Sequence, residues 1–404
     1  MSTEPPEGTG PLAGVRVVDL TTVVMGPYAT QILADYGADV VKVEPPEGDI
    51  MRGAGPMKGP AMGHLHLQMN RNKRSVVLDV KKEGGRGALL RICAKADVFV
   101  HNVRLAAMER LRLGPSDVRA ASPRIVYVSL LGYGSSGPYA GKPAYDDLIQ
   151  GICGLPALLG RETGEPAFVP VNMADRVVGV NAVHAVIAAL FLRERTGEGQ
   201  TVELPMFETL AQFVLGDHMG GRTFDPPLGP AGYVRLLHRQ PYRTSDGYIC
   251  VLVYTDKQWQ TFFRLIGRPQ ELEGNPHLAT YAARARNYQE TYGRLAEIFA
   301  TRTTGEWLTL LERNDIPCVR PNELDDLIDD PHLAAVEFVR EVDHPSEGKL
   351  RLAGIPSRWN GASLPISRPP PRLGEHSVEV LRDAGLDPAE IERLLAEGAT
   401  VDGR

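Results

Sequence analysis

Residues 171–179, Val-Asn-Met-Ala-Asp-Arg-Val-Val-Gly, place one acidic side chain, Asp175, where a strand-like run (168–171) gives way to a long apolar helix over 176–191. A carboxylate at a helix start meets unpaired backbone N–H groups and the positive end of the dipole, so Asp175 is expected to stay ionised near neutral pH. An ionised carboxylate with free lone pairs can attack an activated acyl group and become a covalent intermediate. Asp is also a common helix N-cap, and that plainer role competes with the chemical one.

A second set of chemistry-bearing residues is basic. Arg71, Lys73, Arg74, Lys81 and Lys82 flank one strand, and Arg104 and Arg110 follow the next. Open α/β sheets bind ligands at the carboxyl ends of their strands, so basic residues at successive strand ends suggest a polyanion held by side chains. A solvated charged face is the alternative. Gly132-Tyr-Gly-Ser-Ser-Gly137 matches G-x-G-x-x-G, but Pro138 follows and it comes late in the chain, which argues against a dinucleotide fingerprint. His64 and His66 have no third ligand nearby and read as solvent-facing loop residues; His184 reads as a core residue; no metal site is expected. A G-x-S-x-G elbow and a P-loop are both missing, which removes the commonest hydrolase and phosphoryl-transfer readings.

The elements that must position these groups alternate. Val15–Leu20, Val40–Val43, Ser75–Asp79, Val98–Val100, Ile125–Leu130 and Gln200–Leu204 read as short apolar strands. Helices are predicted near 27–36, 85–95 and 105–111, and Gly197 is the expected C-cap of the Asp175 helix. That alternation predicts an α/β fold with a mostly parallel sheet covered on both faces. Gly and Pro crowd residues 220–232, a linker signal. Beyond it a hairpin-like run, 248–254, precedes aromatic-rich helices containing Trp259, Phe262, Phe263 and Trp307, and two short helices close the chain at 377–384 and 388–397. The organisation expected is a large domain over 12–220, a smaller α+β domain over 232–325, and a return to the large domain over 340–404.

Composition narrows the partners. A net charge of −6 gives no bulk attraction to nucleic acid or anionic membrane. The four cysteines are scattered, which fits a reducing cytoplasm. Residues 1–11 read as a polar tail rather than a signal peptide, and the Asp175 helix, interrupted by Asn181 and His184, is not expected to span a bilayer.

With these residues in view, the chain resembles a family III CoA-transferase, the group of formyl-CoA and crotonobetainyl-CoA transferases and, by shared fold, α-methylacyl-CoA racemase. The resemblance runs from Gly14 to the final helix. It is carried by Gly14-Val-Arg-Val-Val-Asp-Leu20, Gly26-Pro27, Gly37-Ala-Asp-Val-Val-Lys-Val-Glu44, Gly48-Asp49, Asn72-Lys-Arg-Ser75, Ala96-Asp-Val98 with Asn102, Gly132-Tyr-Gly134 with Gly137-Pro138, and Leu373-Gly-Glu-His376. It implies a Rossmann-like large domain with a smaller inserted domain, in an interlocked homodimer. It also implies acyl-CoA and a small carboxylic acid as substrates with no tightly bound cofactor.

The resemblance places Asp175 on the nucleophile, and Val24, Met25, Leu78, Lys81, Asn102, Arg110, Tyr145 and Asp146 on the CoA site. Lys81 and Arg110 would meet phosphates; Tyr145 and Asp146 would lie near the thioester. The chemistry implied is an aspartyl anhydride followed by an aspartyl-CoA thioester. Two departures bear on the substrate. Val24 stands where formyl-CoA transferases carry glutamine, and their glycine-rich flap is missing, which argues against oxalate–formate exchange. Tyr145 stands where the racemases carry an acid–base histidine, and a phenol of ordinary pKa about 10 is a poor substitute. Arg235, in a basic stretch with His238, Arg239 and Arg243, and Arg52 are candidates to grip the far carboxylate of a dicarboxylic acid such as succinate. The alternatives are an acyl-CoA racemase or isomerase, and a non-catalytic acyl-CoA-binding protein.

Overall fold

The computed structural model describes residues 10–161, 164–233, 236 and 238–403. Chain contacts divide it into two compact units, one built from residues 1–157, 167–214 and 334–404, the other from 158–166 and 215–333.

The first unit alternates strand and helix: β1 (Arg16–Leu20), α1 (Met25–Asp35), β2 (Asp39–Glu44), α2 (His64–Met69), β3 (Lys73–Val77), α3 (Glu83–Cys93), β4 (Val98–His101), α4 (Leu105–Arg110), α5 (Pro115–Ala121), β5 (Val126–Leu131), α6 (Asp146–Ile152), α7 (Leu155–Leu159), α8 (Met173–Thr196), β6 (Thr201–Pro205) and α9 (Met206–His218). The six strands form one parallel sheet in the order β3-β2-β1-β4-β5-β6. Every residue of β3, β4 and β5 is buried, as expected when helices cover both faces of a parallel sheet. The strand order reverses between β1 and β4, which opens a crevice at their carboxyl ends.

Local chemistry sets the turns. Helix α1 ends at Gly37 with φ +94°, where the Gly37 and Ala38 N–H groups close back on the carbonyls of Ala34 and Leu33. A side chain at Gly37 would meet the left-handed penalty, so glycine is the cheap residue for this C-terminal motif. The C-terminal segment returns to the same unit: Val378, Val380, Leu381 and Leu394 share a core with Val76, Leu89, Phe99 and Tyr127.

The segment before α8 differs from expectation. Residues 168–171 are not a strand, and α8 begins at Met173, earlier than the apolar pattern suggested. Helix α8 also has the length and mean hydropathy, 1.6 over 18 residues, of a bilayer-crossing helix, contrary to the expectation that Asn181 and His184 would interrupt it. It nonetheless packs against α1, α6, β5 and β6 and buries Ala174, Val178, Ala182, Val186 and Leu190 there. His184 is exposed rather than core.

In the second unit, Tyr242–Arg243, Tyr248–Val251 and Cys318–Val319 pair as a three-stranded antiparallel sheet. Its core is aromatic: Trp259, Phe262, Phe263, Phe299 and Trp307 are all buried.

Candidate active site

The loop after β1 is held by charges that have no access to water. Asp19, at the end of β1, accepts from the Thr30 hydroxyl and from Lys73 Nζ at 3.1 Å; both Asp19 and Lys73 are fully buried. Lys42 Nζ reaches the Thr21 carbonyl and Asp49 Oδ2, each at 3.0 Å, and Asp49 Oδ1 accepts from the Val23 N–H at 3.2 Å. Asn102, after β4, clasps Thr22 from the other side, accepting its N–H at 3.0 Å and donating to its carbonyl at 2.9 Å. These contacts over-determine Thr21–Val23, which is how Val23 can sit at φ +72°, a left-handed conformation costly for a β-branched residue. Such strain persists where neighbours enforce it, and here it lies at the sheet's switch point.

Helix α8 approaches that loop closely because residue 179 is glycine. A Cβ there would stand 2.9 Å from the Met25 carbonyl oxygen and 3.0 Å from the Tyr28 ring. One turn earlier, Asp175 looks into a cavity of about 240 Å³ lined by Thr22, Val23, Met25, Asn102, Arg104, Gly132, Lys142 to Asp146 and Met206. Almost every lining residue follows the carboxyl end of a sheet strand. A second cavity of about 400 Å³, lined by Arg104, Arg110, Tyr133 and Lys142 among others, shares Arg104, Gly132 and Lys142 with the first. Lys142 Nζ lies 4.1 Å from the centre of the Tyr139 ring, a cation–π contact.

Asp175 is not the N-cap. Asn172 occupies that position, and Asp175 is the third residue of the helix, its carboxylate bonded to no donor among the described residues. The capping is done from outside: Asp146 Oδ1 accepts the Asp175 N–H at 2.9 Å, and Gln150 Nε2 donates to Asp146 Oδ2 at 2.6 Å. Burial first, then the charge of Asp146, push the Asp175 carboxyl up to about 7, while Arg176, stacked over Tyr28, opposes them. The expectation of a fully ionised Asp175 at neutral pH therefore needs correcting. Burial and a second carboxylate outweigh whatever the helix start contributes.

Other expected site residues distribute unevenly. Met25, Asn102, Tyr145, Asp146 and Asp175 line one cavity together, and Arg110 lines the adjoining one. Val24 and Leu78 are buried and are not among the residues that line either cavity. Lys81 is exposed on the loop after β3, outside both cavities.

The basic cluster turns out mainly structural. Arg71 pairs with Asp35, Lys73 with Asp19, Arg74 with Asp39, Glu379 and Asp383, and Lys82 with two backbone carbonyls. Arg52 is no substrate grip in this structure. It is 2% exposed and makes a bidentate pair with Glu44, both bonds 2.7 Å, and it also reaches the carbonyls of Ala61 and Pro371. Its planar fork is filled by groups that burial has stripped of water, so pulling it out would strand Glu44. Arg235 lies outside the described residues. His66 is buried, bonded to Asn70 and the Pro371 carbonyl, rather than solvent-facing.

Sequence reasoning missed Lys142, Val23, Met206 and Gln150. Val23 and Met206 sit just after strand ends, the position where ligands bind in such sheets, and Lys142 lies farther along the loop after β5; Gln150 is four residues beyond Asp146 on one helix, a spacing that lets the two side chains meet.

Comparison with known proteins points one way. The family model described as CoA-transferase family III matches residues 12–377. The human succinyl-CoA:glutarate CoA-transferase is 31% identical, covering 96% of this chain and 89% of that protein. A formyl-CoA:oxalate CoA-transferase of Streptomyces avermitilis is 34% identical over 96% of this chain and 99% of its own length. A crystal structure from Mycobacterium tuberculosis, of a protein named as a probable fatty acyl-CoA transferase, superposes with a TM-score of 0.78 at 31% identity, covering 92% of this chain and 99% of that one.

Proposed function

The chain belongs to CoA-transferase family III and is an acyl-CoA:carboxylate CoA-transferase, and from that premise we propose that CoA passes through covalent intermediates on Asp175. The observation that carries this reading is a buried carboxylate, bonded to no donor among the described residues, that opens on a cavity continuous with an arginine-lined groove. A basic, poorly solvated carboxylate is the better nucleophile, and it needs only its ionised fraction to react.

The steps balance without ATP. An Asp175 oxygen attacks the thioester carbonyl carbon, the C–S bond breaks, and the electron pair leaves on sulfur as CoA thiolate. The thiolate attacks the aspartyl carbonyl of the anhydride, releasing the donor acid and leaving an aspartyl-CoA thioester. The acceptor carboxylate attacks that thioester, forming a new anhydride and freeing thiolate again. The thiolate then takes the acyl carbon and returns Asp175. Arg104, Arg110 and Lys142 are the candidates for the CoA phosphates, with Lys81 at the nucleotide end, since charged donors at strand ends suit a polyanion. Met25, Asn102, Tyr145 and Asp146 shape the thioester pocket, and Val24 and Leu78 would contribute through backbone.

For the acids we propose dicarboxylates. Succinate, glutarate, mesaconate and oxalate appear in the names of several relatives, beside formyl and, in one, fatty acyl groups. Arg235 is the remaining candidate for the far carboxylate. We also propose a homodimer. On helix α8, Val180, Ile187, Leu192 and Phe191, the last 65% exposed, lie uncovered with His184 on the face turned away from the unit's core. A matrix of acyl-CoA donors and free acids, read by mass spectrometry, tests the function. Transfer to dicarboxylates that disappears in Asp175→Ala supports it. Better transfer to fatty monoacids would replace the dicarboxylate part alone, and turnover by Asp175→Ala would end the covalent part.

A further inference from the structure

We propose that Gln150 is a positioning residue for the nucleophile, acting through Asp146: it fixes the carboxylate that holds the Asp175 backbone and stands as a fixed negative charge beside the Asp175 side chain. The inference rests on Asp175 being the acceptor of the acyl group.

Gln150 is completely buried on α6 and all its polar atoms are engaged. Its Oε1 accepts the Val169 N–H at 3.0 Å; its Nε2 donates to Asp146 Oδ2 at 2.6 Å and faces the carbonyls of Val169 and Val171 at 3.3 Å each. One donor faces the oxygen and three acceptors face the nitrogen, so the amide has a single sensible orientation. Through these bonds one side chain ties α6 to the irregular strap, residues 169–171, that enters α8. Asp146 completes the link with its bond to the Asp175 N–H. Asp175 is therefore located at both ends of its local backbone by groups that Gln150 holds.

The arrangement has a chemical use. In the free enzyme the ionised Asp146 repels the ionised Asp175 at close range in a poorly solvated place. When an Asp175 oxygen bonds to the acyl carbon and the C–S electron pair departs on sulfur, the negative charge moves from Asp175 to the CoA thiolate. The repulsion is relieved as the reaction advances, so it favours the transition state over the ground state. The other charge that acts on Asp175 is the cation of Arg176 on its own helix, while Arg104 and Lys142 stand on the loops that line the cavity. Helix α1, packed along α8, buries no charged side chain towards it except Asp35, which is paired with Arg71 at the far end of α1.

A merely structural glutamine would change stability or expression and leave the chemistry of surviving enzyme alone. Gln150→Leu keeps the volume and removes the bonds. Its kcat should fall roughly ten- to hundredfold, the range of one hydrogen bond to a charged group, with KM for acyl-CoA changed less than about threefold. Asp146→Asn removes the charge, and with its oxygen kept on the Asp175 N–H it sets an amide nitrogen against Gln150 Nε2, breaking that bond as well; the acid limb of its kcat/KM profile should move down by about one pH unit or more. The same shift should be visible without turnover, as the titration of the carboxyl carbon resonance that vanishes in Asp175→Asn, followed in protein labelled with carbon-13 aspartate. Should Gln150→Leu fail to fold, Gln150→Met, unbranched like glutamine and without its bonds, is read in the same way. Unchanged kcat in Gln150→Leu, or an unmoved Asp175 titration in Asp146→Asn, overturns the inference. If instead the titrations move as stated but Asp175→Asn still turns over, the positioning of the carboxyl stands and the covalent role falls.

Discussion

Replacing Asp175 by asparagine should make the protein more stable, and by an amount that depends on pH. The carboxyl's pKa rises from an ordinary 3.8 to about 7 on folding, because burial strips its water and Asp146 stands beside it. Below pH 3.8 it is protonated in both states and contributes nothing. Above that, the unfolded chain releases the proton first, so folding is penalised increasingly until the pH passes about 7, where the full penalty applies. A shift of about three units at 1.36 kcal/mol each sets a ceiling of about 4 kcal/mol. The unit that carries Asp175 spans residues 1–157, 167–214 and 334–404, roughly 280 residues, so its unfolding entropy near 60 °C is about 0.6 kcal/mol/K and the ceiling corresponds to about 7 °C in Tm. Differential scanning calorimetry of wild type and Asp175→Asn at pH 4 and pH 8.5 measures it. The account expects Tm values within about 1 °C at pH 4 and a gain of several degrees at pH 8.5 for the variant. A variant less stable than wild type at pH 8.5 would refute the desolvated-carboxylate argument.

The remaining predictions concern ligands and neighbours. Arg110→Ala should raise KM for acyl-CoA roughly 10- to 150-fold with little change in kcat, since remote phosphate contacts act equally in ground and transition states. Lys81→Ala should raise KM likewise, whereas Lys82→Ala, whose ammonium is bonded to the carbonyls of Glu397 and Gly398, should not; equal effects would misplace the nucleotide end. Arg52→Ala should cost about 3–5 kcal/mol in urea unfolding by stranding Glu44, while leaving the ranking of acceptor acids as it was. With Tyr145 at the thioester pocket and no histidine there, a branched acyl-CoA in deuterated water should show no enzyme-dependent exchange of its α-proton; exchange as fast as transfer would favour a racemase.

The parallel sheet was legible because its strands are short apolar runs between helical segments, a pattern that survives one residue of error at either end. Motifs spread from Gly14 to His376 gave the family, and it was the resemblance that placed Asn102, Tyr145 and Asp146 beside Asp175; the four line one cavity. What sequence could not supply was pairing across the sheet. Lys73 reads as a surface cation until Asp19, 54 residues away, is found beside it on the neighbouring side of the sheet's interior. Arg74 likewise meets Asp383 from the chain's far end. Arg52 and Glu44 are only eight residues apart, but the turn that brings them together is irregular and carries no period to read. The protonation of Asp175 was misjudged for a related reason: burial, and then the charge of Asp146 brought from another helix, raise its carboxyl, and neither is written into a helix start.

Covalent capture tests the central claim most directly. Wild-type enzyme incubated with acyl-CoA and hydroxylamine, then digested and read by peptide mass spectrometry, should carry a hydroxamate on Asp175 and on no other acidic residue. The same treatment of Asp175→Asn, or of wild type without acyl-CoA, should leave every peptide unmodified. An enzyme that transfers CoA under these conditions while its Asp175 peptide stays unmodified would contradict the account.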